Sequence, residues 1–263
     1  MMTNREKCDI IVYRQKLIFG GIVLLLFAVL LVLDVTVGLI YAKKGHPTVD
    51  MTAFWLKMLA SGIFVFNGLY LYLQSPENVY GKLIVIGLVC GMVGDALLSF
   101  DPFIKKNQYE QRNMIITTVI GAAAFLAGHV VYIVAFIKAM LAKDAFNPIV
   151  YAVSMIVIAT VTVTVKTALK VKLKKLLVPF IIYSLGLASM ASFSISLALN
   201  AFQGHLAQQA VLCIGPILFM ISDASLGMKF SDRERFGSLK IRYVTLFTYY
   251  VAQMLIGYTI SFV

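Results

Sequence analysis

Charge is scarce in this 263-residue sequence. Asp, Glu, Lys and Arg make up 13% of it, against roughly 25% in ordinary soluble domains. Hydrophobic residues reach 60% and the mean hydropathy is +0.90. A water-soluble fold would lack the polar residues to cover its exterior. Cysteine is scarce as well. Cys8, Cys90 and Cys213 are widely spaced with no CxxC pair, so neither a disulfide framework nor a zinc site is indicated. The only histidines, His46, His129 and His205, are equally dispersed, and no metal or cofactor is expected. Strand-like alternation is missing from the apolar runs, which excludes a transmembrane barrel. A small-residue cleavage pattern is missing after the charged start MMTNREKCDIIVYRQK, and the apolar run behind it is too long for a signal-peptide core. That segment is read as retained.

What the chain does have is long apolar runs. A membrane-spanning helix needs about 20 such residues. Eight candidates follow one another: 17–41, 54–73, 83–100, 114–140, 149–165, 176–201, 206–228 and 243–263. Turn and charge signals separate them, among them KKGHP at 43–47, QSPEN at 74–78, KDAFNP at 143–148 and KVKLKK at 170–175. No internal repeat is evident. The expectation is one all-α domain over 1–263, a polytopic transmembrane bundle of eight helices with a short polar segment at 1–16. Gly121, Ala124 and Gly128 are small enough to let the fourth helix approach its neighbours closely.

The net charge of +11 suits either nucleic acid or an anionic membrane surface. The basic residues fall in short gaps between apolar runs, and no basic helix interleaved with aromatics is present, so nucleic acid is not an expected partner. Most of the 23 Lys and Arg lie in odd-numbered loops, including Lys43 and Lys44, Lys105 and Lys106, the run at 170–175, and Arg233, Arg235, Lys240 and Arg242. The positive-inside rule then puts the odd loops in the cytoplasm and both termini outside. The four basic residues ahead of the first helix argue the other way.

Ionisable residues inside spanning helices are costly and mark functional sites. Here they are Asp95 on the third helix, His129 with Tyr132 on the fourth, and Asp223 beside Ser222 on the seventh. Tyr249, Tyr250 and Gln253 follow on the eighth, with Lys57 on the second and Tyr183 on the sixth. Asp95 and Asp223 each sit about 8 Å from the odd-loop end of their helix, at a rise of about 1.5 Å per residue. The set converges on one half of the bilayer. Each member also has a plainer reading. Either Asp can pair with a lysine, and His129 can be a hydrogen-bonded packing residue. Tyr249 and Tyr250 can be interfacial aromatics and Gln253 helix–helix glue. Lys57 can snorkel to the interface. Asp34, near the far end of the first helix, is read as interfacial.

Four segments in this order resemble the YhhN-like lysoplasmalogenase family of membrane proteins: GDALLSF (94–100), FLAGHVVYIVAF (125–136), LFMISDASLGMKF (218–230) and YYVAQMLI (249–256). Lys57 and Tyr183 also fit. The resemblance spans roughly 50–260 and leaves the first helix out. It implies an eight-helix membrane hydrolase that cleaves the vinyl ether bond of lysoplasmalogens, releasing a fatty aldehyde and glycerophospho-ethanolamine or -choline. It implies Asp95 and Asp223 as essential carboxylates, with Lys57, His129, Tyr132, Tyr183, Ser222, Tyr249, Tyr250 and Gln253 lining the site. The membrane would be a bacterial inner membrane or the endoplasmic reticulum, and the partners a lysophospholipid substrate and membrane lipid.

Two carboxyls suit that chemistry. Protonation of the alkene carbon gives an oxocarbenium ion, water adds, and the hemiacetal collapses to aldehyde and alcohol. One carboxyl has to be protonated and the other ionised, a division that resembles the glycosidases. The apolar neighbours of Asp95 favour it as the acid, and Ser222 offers a hydrogen bond to an ionised Asp223. The substrate phosphate would rest near Lys57 or the odd-loop basic residues. A lipid or small-molecule transporter could use the same polar cluster, although no inverted repeat supports one. An aspartyl protease fits poorly, since Asp95 follows GMVG at 91–94 rather than completing GxGD. A structural protein with buried ion pairs is the remaining alternative.

Overall fold

The structure is a computed structural model that describes residues 4–46, 48–104, 109–169 and 177–263. The basic run at 170–175 and the pair Lys105 and Lys106 lie outside the described residues. All the regular structure described is helical. The order is α1 (Asn4–Lys44), α2 (Met51–Leu73), α3 (Val79–Leu98), α4 (Glu110–Ala142), α5 (Pro148–Ala168), α6 (Leu177–Ala201), α7 (Leu206–Ser231), α8 (Arg233–Phe236) and α9 (Leu239–Tyr258). Single 3-10 turns follow α3 and α9, at Asp101–Phe103 and Thr259–Ser261. Helix α8 is one turn in the loop between α7 and α9, which leaves eight long helices in an all-α bundle.

Helix ends fall at the turn signals because those residues cap. Asp50 accepts the Ala53 N–H at 2.7 Å to start α2. Asn78 accepts the Gly81 N–H at 3.2 Å to start α3. Asn147 caps α5 with Pro148 in its first turn, where the missing N–H costs nothing. Helix α1 begins well ahead of its apolar run, inside the polar segment.

Among the described residues, seven helices, α1 to α7, are long and apolar enough to cross a membrane, and the chain is a multi-pass membrane protein. The eighth long helix, α9, is not apolar enough, for a physical reason. It is packed against α7, α1 and α2, and its buried residues include Thr248, Tyr249, Tyr250 and Gln253. A helix walled off from lipid by other helices has no need of an apolar surface, and its polar groups find partners inside the protein. Helix α5 is the converse: it packs on α6, none of its residues is buried, and apolar side chains surround it.

Two local devices set the helices that matter. Pro216 sits inside α7, where it cannot donate to the carbonyl of Leu212 four residues back. That carbonyl instead accepts the Ser194 hydroxyl of α6 at 2.6 Å, so the neighbouring helix satisfies the group that proline frees. Between α3 and α4, Gly128 lies against the backbone of Gly87, the close approach expected of the small residues of the fourth helix. Gly87 in turn accommodates the Tyr132 ring, and Gly94 the Phe125 ring.

Candidate active site

Asp95 stands three residues from the end of α3 and is 2% exposed. Lys57 Nζ of α2 lies 3.0 Å from its Oδ1. Its Oδ2 accepts two hydroxyls, from Ser61 of α2 and from Tyr249 of α9, each at 2.7 Å. An ammonium and two hydroxyls therefore surround one carboxylate, which is the form of the group that three donors complete. Lys57 does not snorkel: it is buried and paired. Ser61 was not singled out in the sequence, although it lies four residues after Lys57 and so on the same helix face.

The network continues behind Tyr249. Gln253 donates from Nε2 to the Tyr249 hydroxyl at 3.3 Å and accepts from the Tyr132 hydroxyl at 2.9 Å. The Tyr249 ring is fixed by edge contacts with Phe64, Phe125 and Phe219, at centroid distances of 5.6 to 6.0 Å. The chain Tyr132–Gln253–Tyr249–Asp95 thus joins α4, α9 and α3.

Asp223 of α7 has different surroundings. The Tyr183 hydroxyl of α6 donates to its Oδ2 at 2.5 Å, and His129 Nε2 lies 3.9 Å from the same oxygen. The His129 ring is held edge-on between Tyr183 and Phe219. His129 and Tyr132 come from one face of α4, yet they serve different carboxyls. No hydrogen bond joins Ser222 to Asp223 among the described contacts; the donor to Asp223 is Tyr183.

Both carboxyls line one cavity of about 210 Å³. Lys57, Ser222 and Tyr249 line it too, while Tyr41, Lys229 and Arg242 stand at the end toward the α7–α9 loop. His129, Tyr132, Tyr183 and Gln253 sit behind these side chains and reach the cavity through them. Tyr250 is a fifth expected lining residue that does not line it. It points toward α1, where its ring lies over Gly38. Its buried hydroxyl has no hydrogen-bond partner among the described residues. Adjacent positions on a helix diverge by about 100°, so Tyr249 and Tyr250 cannot both face the cavity. Asp34 also departs from its expected interfacial place. It is fully buried, with neither carboxyl oxygen hydrogen-bonded among the described residues.

A model of the YhhN family matches residues 51–260, from the start of α2 to the turn after α9. Comparison with curated proteins found no match. Comparison with solved structures found none either.

Proposed function

Because the chain belongs to the YhhN family, we propose that it hydrolyses the vinyl ether bond of lysoplasmalogens inside the membrane. The observation that carries the reading is the pair of carboxyls, Asp95 from α3 and Asp223 from α7, facing one cavity in unlike hydrogen-bonding surroundings. Asp95, held by Lys57, Ser61 and Tyr249, supplies a fixed negative charge for an oxocarbenium ion. Asp223 carries the proton. This division reverses the one its apolar neighbours suggested for Asp95, and the donors around Asp95 are the reason.

The steps balance without an added reactant other than water. Asp223 gives its proton to the alkene carbon, and the ether carbon becomes the oxocarbenium centre beside Asp95. The Asp223 carboxylate then takes a proton from the water that attacks that centre, which restores the acid. The hemiacetal passes its hydroxyl proton to the departing glycerol oxygen and releases the aldehyde. Tyr183 holds the Asp223 carboxyl by its hydrogen bond, His129 lies 3.9 Å from the same oxygen without a hydrogen bond among the described residues, and Ser222 lines the cavity beside it. The alkenyl chain approaches laterally between helices, as suits a substrate dissolved in the bilayer. The basic residues around the cavity end favour a mouth on the cytoplasmic side, by the positive-inside rule.

The test uses purified protein in detergent with three substrates: a lysoplasmalogen, a saturated ether lysolipid and an ester lysolipid. Aldehyde is expected from the first alone, and is expected to vanish in Asp95→Asn and to fall by roughly 10²–10⁴ in Asp223→Asn. A folded wild type that releases no aldehyde would overturn the reading and leave a lipid-binding or transport protein.

A further inference from the structure

We propose that Arg242 is the phosphate receptor of this cavity and binds the phosphodiester of a lysolipid through its guanidinium. The identity of the lipid rests on the hydrolase reading above; the binding of a phosphate at Arg242 does not.

Arg242 lies in the first turn of α9 and lines the cavity that holds Asp95 and Asp223. Its Nε and Nη2 are both buried, and neither has a hydrogen-bond partner among the described residues. A guanidinium with unpaired N–H donors is matched by the oxygens of a phosphate. The side chain is nonetheless held in place. Its Cζ lies 4.7 Å from the centroid of the Tyr41 ring, an attraction that uses no N–H donor. Nη2 rests close against Gly45, where a Cβ would lie only 2.6 Å away.

The other charged groups of the cavity are disposed to leave this role to Arg242. Lys57 stands near the same Tyr41 ring, 5.6 Å from its centroid, but its ammonium is matched by Asp95 at 3.0 Å. Asp95 is itself occupied by Lys57, Ser61 and Tyr249, and Asp223 by Tyr183. Neither carboxyl pairs with the guanidinium among the described residues. Lys229 lines the cavity as well and adds positive charge around a bound anion. The cavity thus offers two carboxyls for the reacting carbon and, in Arg242 and Lys229, cations for an anion. A lysoplasmalogen has the matching polarity: a vinyl ether that becomes cationic during reaction, and a phosphodiester on the far side of its glycerol.

The experiment measures binding to the full-length protein in detergent, so that it does not depend on turnover. The probes are a saturated ether lysolipid, which carries the phosphate but no vinyl ether, the corresponding alkylglycerol, which carries neither, and inorganic phosphate. Wild type is expected to bind the ether lysolipid roughly tenfold or more tightly than the alkylglycerol, the scale of one charge-assisted hydrogen bond or better. Arg242→Gln is expected to abolish that preference and leave alkylglycerol binding unchanged. Arg242→Lys is expected to keep part of it, because a point charge replaces the fork. In the aldehyde assay KM for lysoplasmalogen should rise by a similar factor with kcat largely kept. Equal lysolipid affinity in wild type and Arg242→Gln would overturn the proposal, as would an equal loss for both lipids. Arg242-dependent binding of inorganic phosphate with no preference for the lysolipid would mark a soluble-anion site and overturn the lipid assignment. An absence of aldehyde from wild type alongside the expected binding pattern would instead sink the hydrolase reading and leave Arg242 standing.

Discussion

Lys57 of α2 and Asp95 of α3 meet at 3.0 Å with 7% and 3% of their side chains exposed. Removing one member of such a pair strands the other charge away from water, at a cost of about 3–5 kcal/mol. Lys57→Met should destabilise by that amount in chemical unfolding in detergent. Lys57→Met combined with Asp95→Asn should recover much of the loss, since no unpaired charge remains. Aldehyde release should stay absent in the double variant, and its return would remove Asp95 from the mechanism.

Asp223→Asn separates chemistry from stability. The amide oxygen can still accept from Tyr183, so stability should move by only about 1 kcal/mol. The rate of aldehyde release should fall by roughly 10²–10⁴, the scale of a lost general acid. An unimpaired rate would end the two-carboxylate scheme.

Tyr249 and Tyr250 offer a paired comparison on adjacent positions. Tyr249→Phe keeps the ring among Phe64, Phe125 and Phe219 and removes the donor to Asp95. A loss of about a hundredfold in rate is expected, as for one preorganised donor. Tyr250→Phe removes a buried hydroxyl without a partner among the described residues, so rate and stability should be unchanged or slightly improved. Rates that fall equally in both variants would mean that the Tyr249 hydrogen bond has no special role.

Gly38 of α1 lets the Tyr250 ring lie where a Cβ would otherwise be. The atoms it meets belong to a packed ring rather than to a flexible chain end. Gly38→Ala should therefore destabilise by about 1–3 kcal/mol through overpacking. Gly62→Ala on α2 meets no atom within 4 Å, and it should be neutral or stabilise by up to about 1 kcal/mol through helix propensity. Thermal unfolding of the two variants side by side checks the contrast.

Ser194→Ala should destabilise by about 1–3 kcal/mol, because it leaves the Leu212 carbonyl unpaired beneath Pro216. Pro216→Ala restores an N–H four residues after that carbonyl. In the Ser194→Ala background it should recover part of the loss, giving a non-zero coupling in a double-mutant cycle. Additive effects would mean that Ser194 does not stand in for the missing backbone donor.

Much was legible without coordinates. The eight apolar runs, the turn signals at 74–78 and 143–148 that contain the caps Asn78 and Asn147, and the polar positions on helices that should be greasy are all local or periodic signals. A bilayer punishes a misplaced polar group so heavily that Asp95, Asp223, His129 and Gln253 stand out on sight. Pairings across helices carry no such local signal. Tyr249 donates to a residue 154 positions away, and nothing near Tyr249 distinguishes it from Tyr250, which faces α1. The same limit hid Arg242, which read as one more basic loop residue, and Asp34, which read as interfacial.

The order of the chain by itself determined that this is a helical membrane protein, roughly where each helix begins and ends, and which few side chains the bilayer would not tolerate unpartnered. Only the tertiary structure decided which partners they took: that Lys57, Ser61 and Tyr249 converge on Asp95 while Tyr183 and His129 attend Asp223, and that α9 is screened by its neighbours. Span lengths follow from the thickness of lipid and the rise of a helix, both of which act along the chain. The rotation of each helix about its axis follows from side-chain packing between neighbours, which no single stretch of sequence contains.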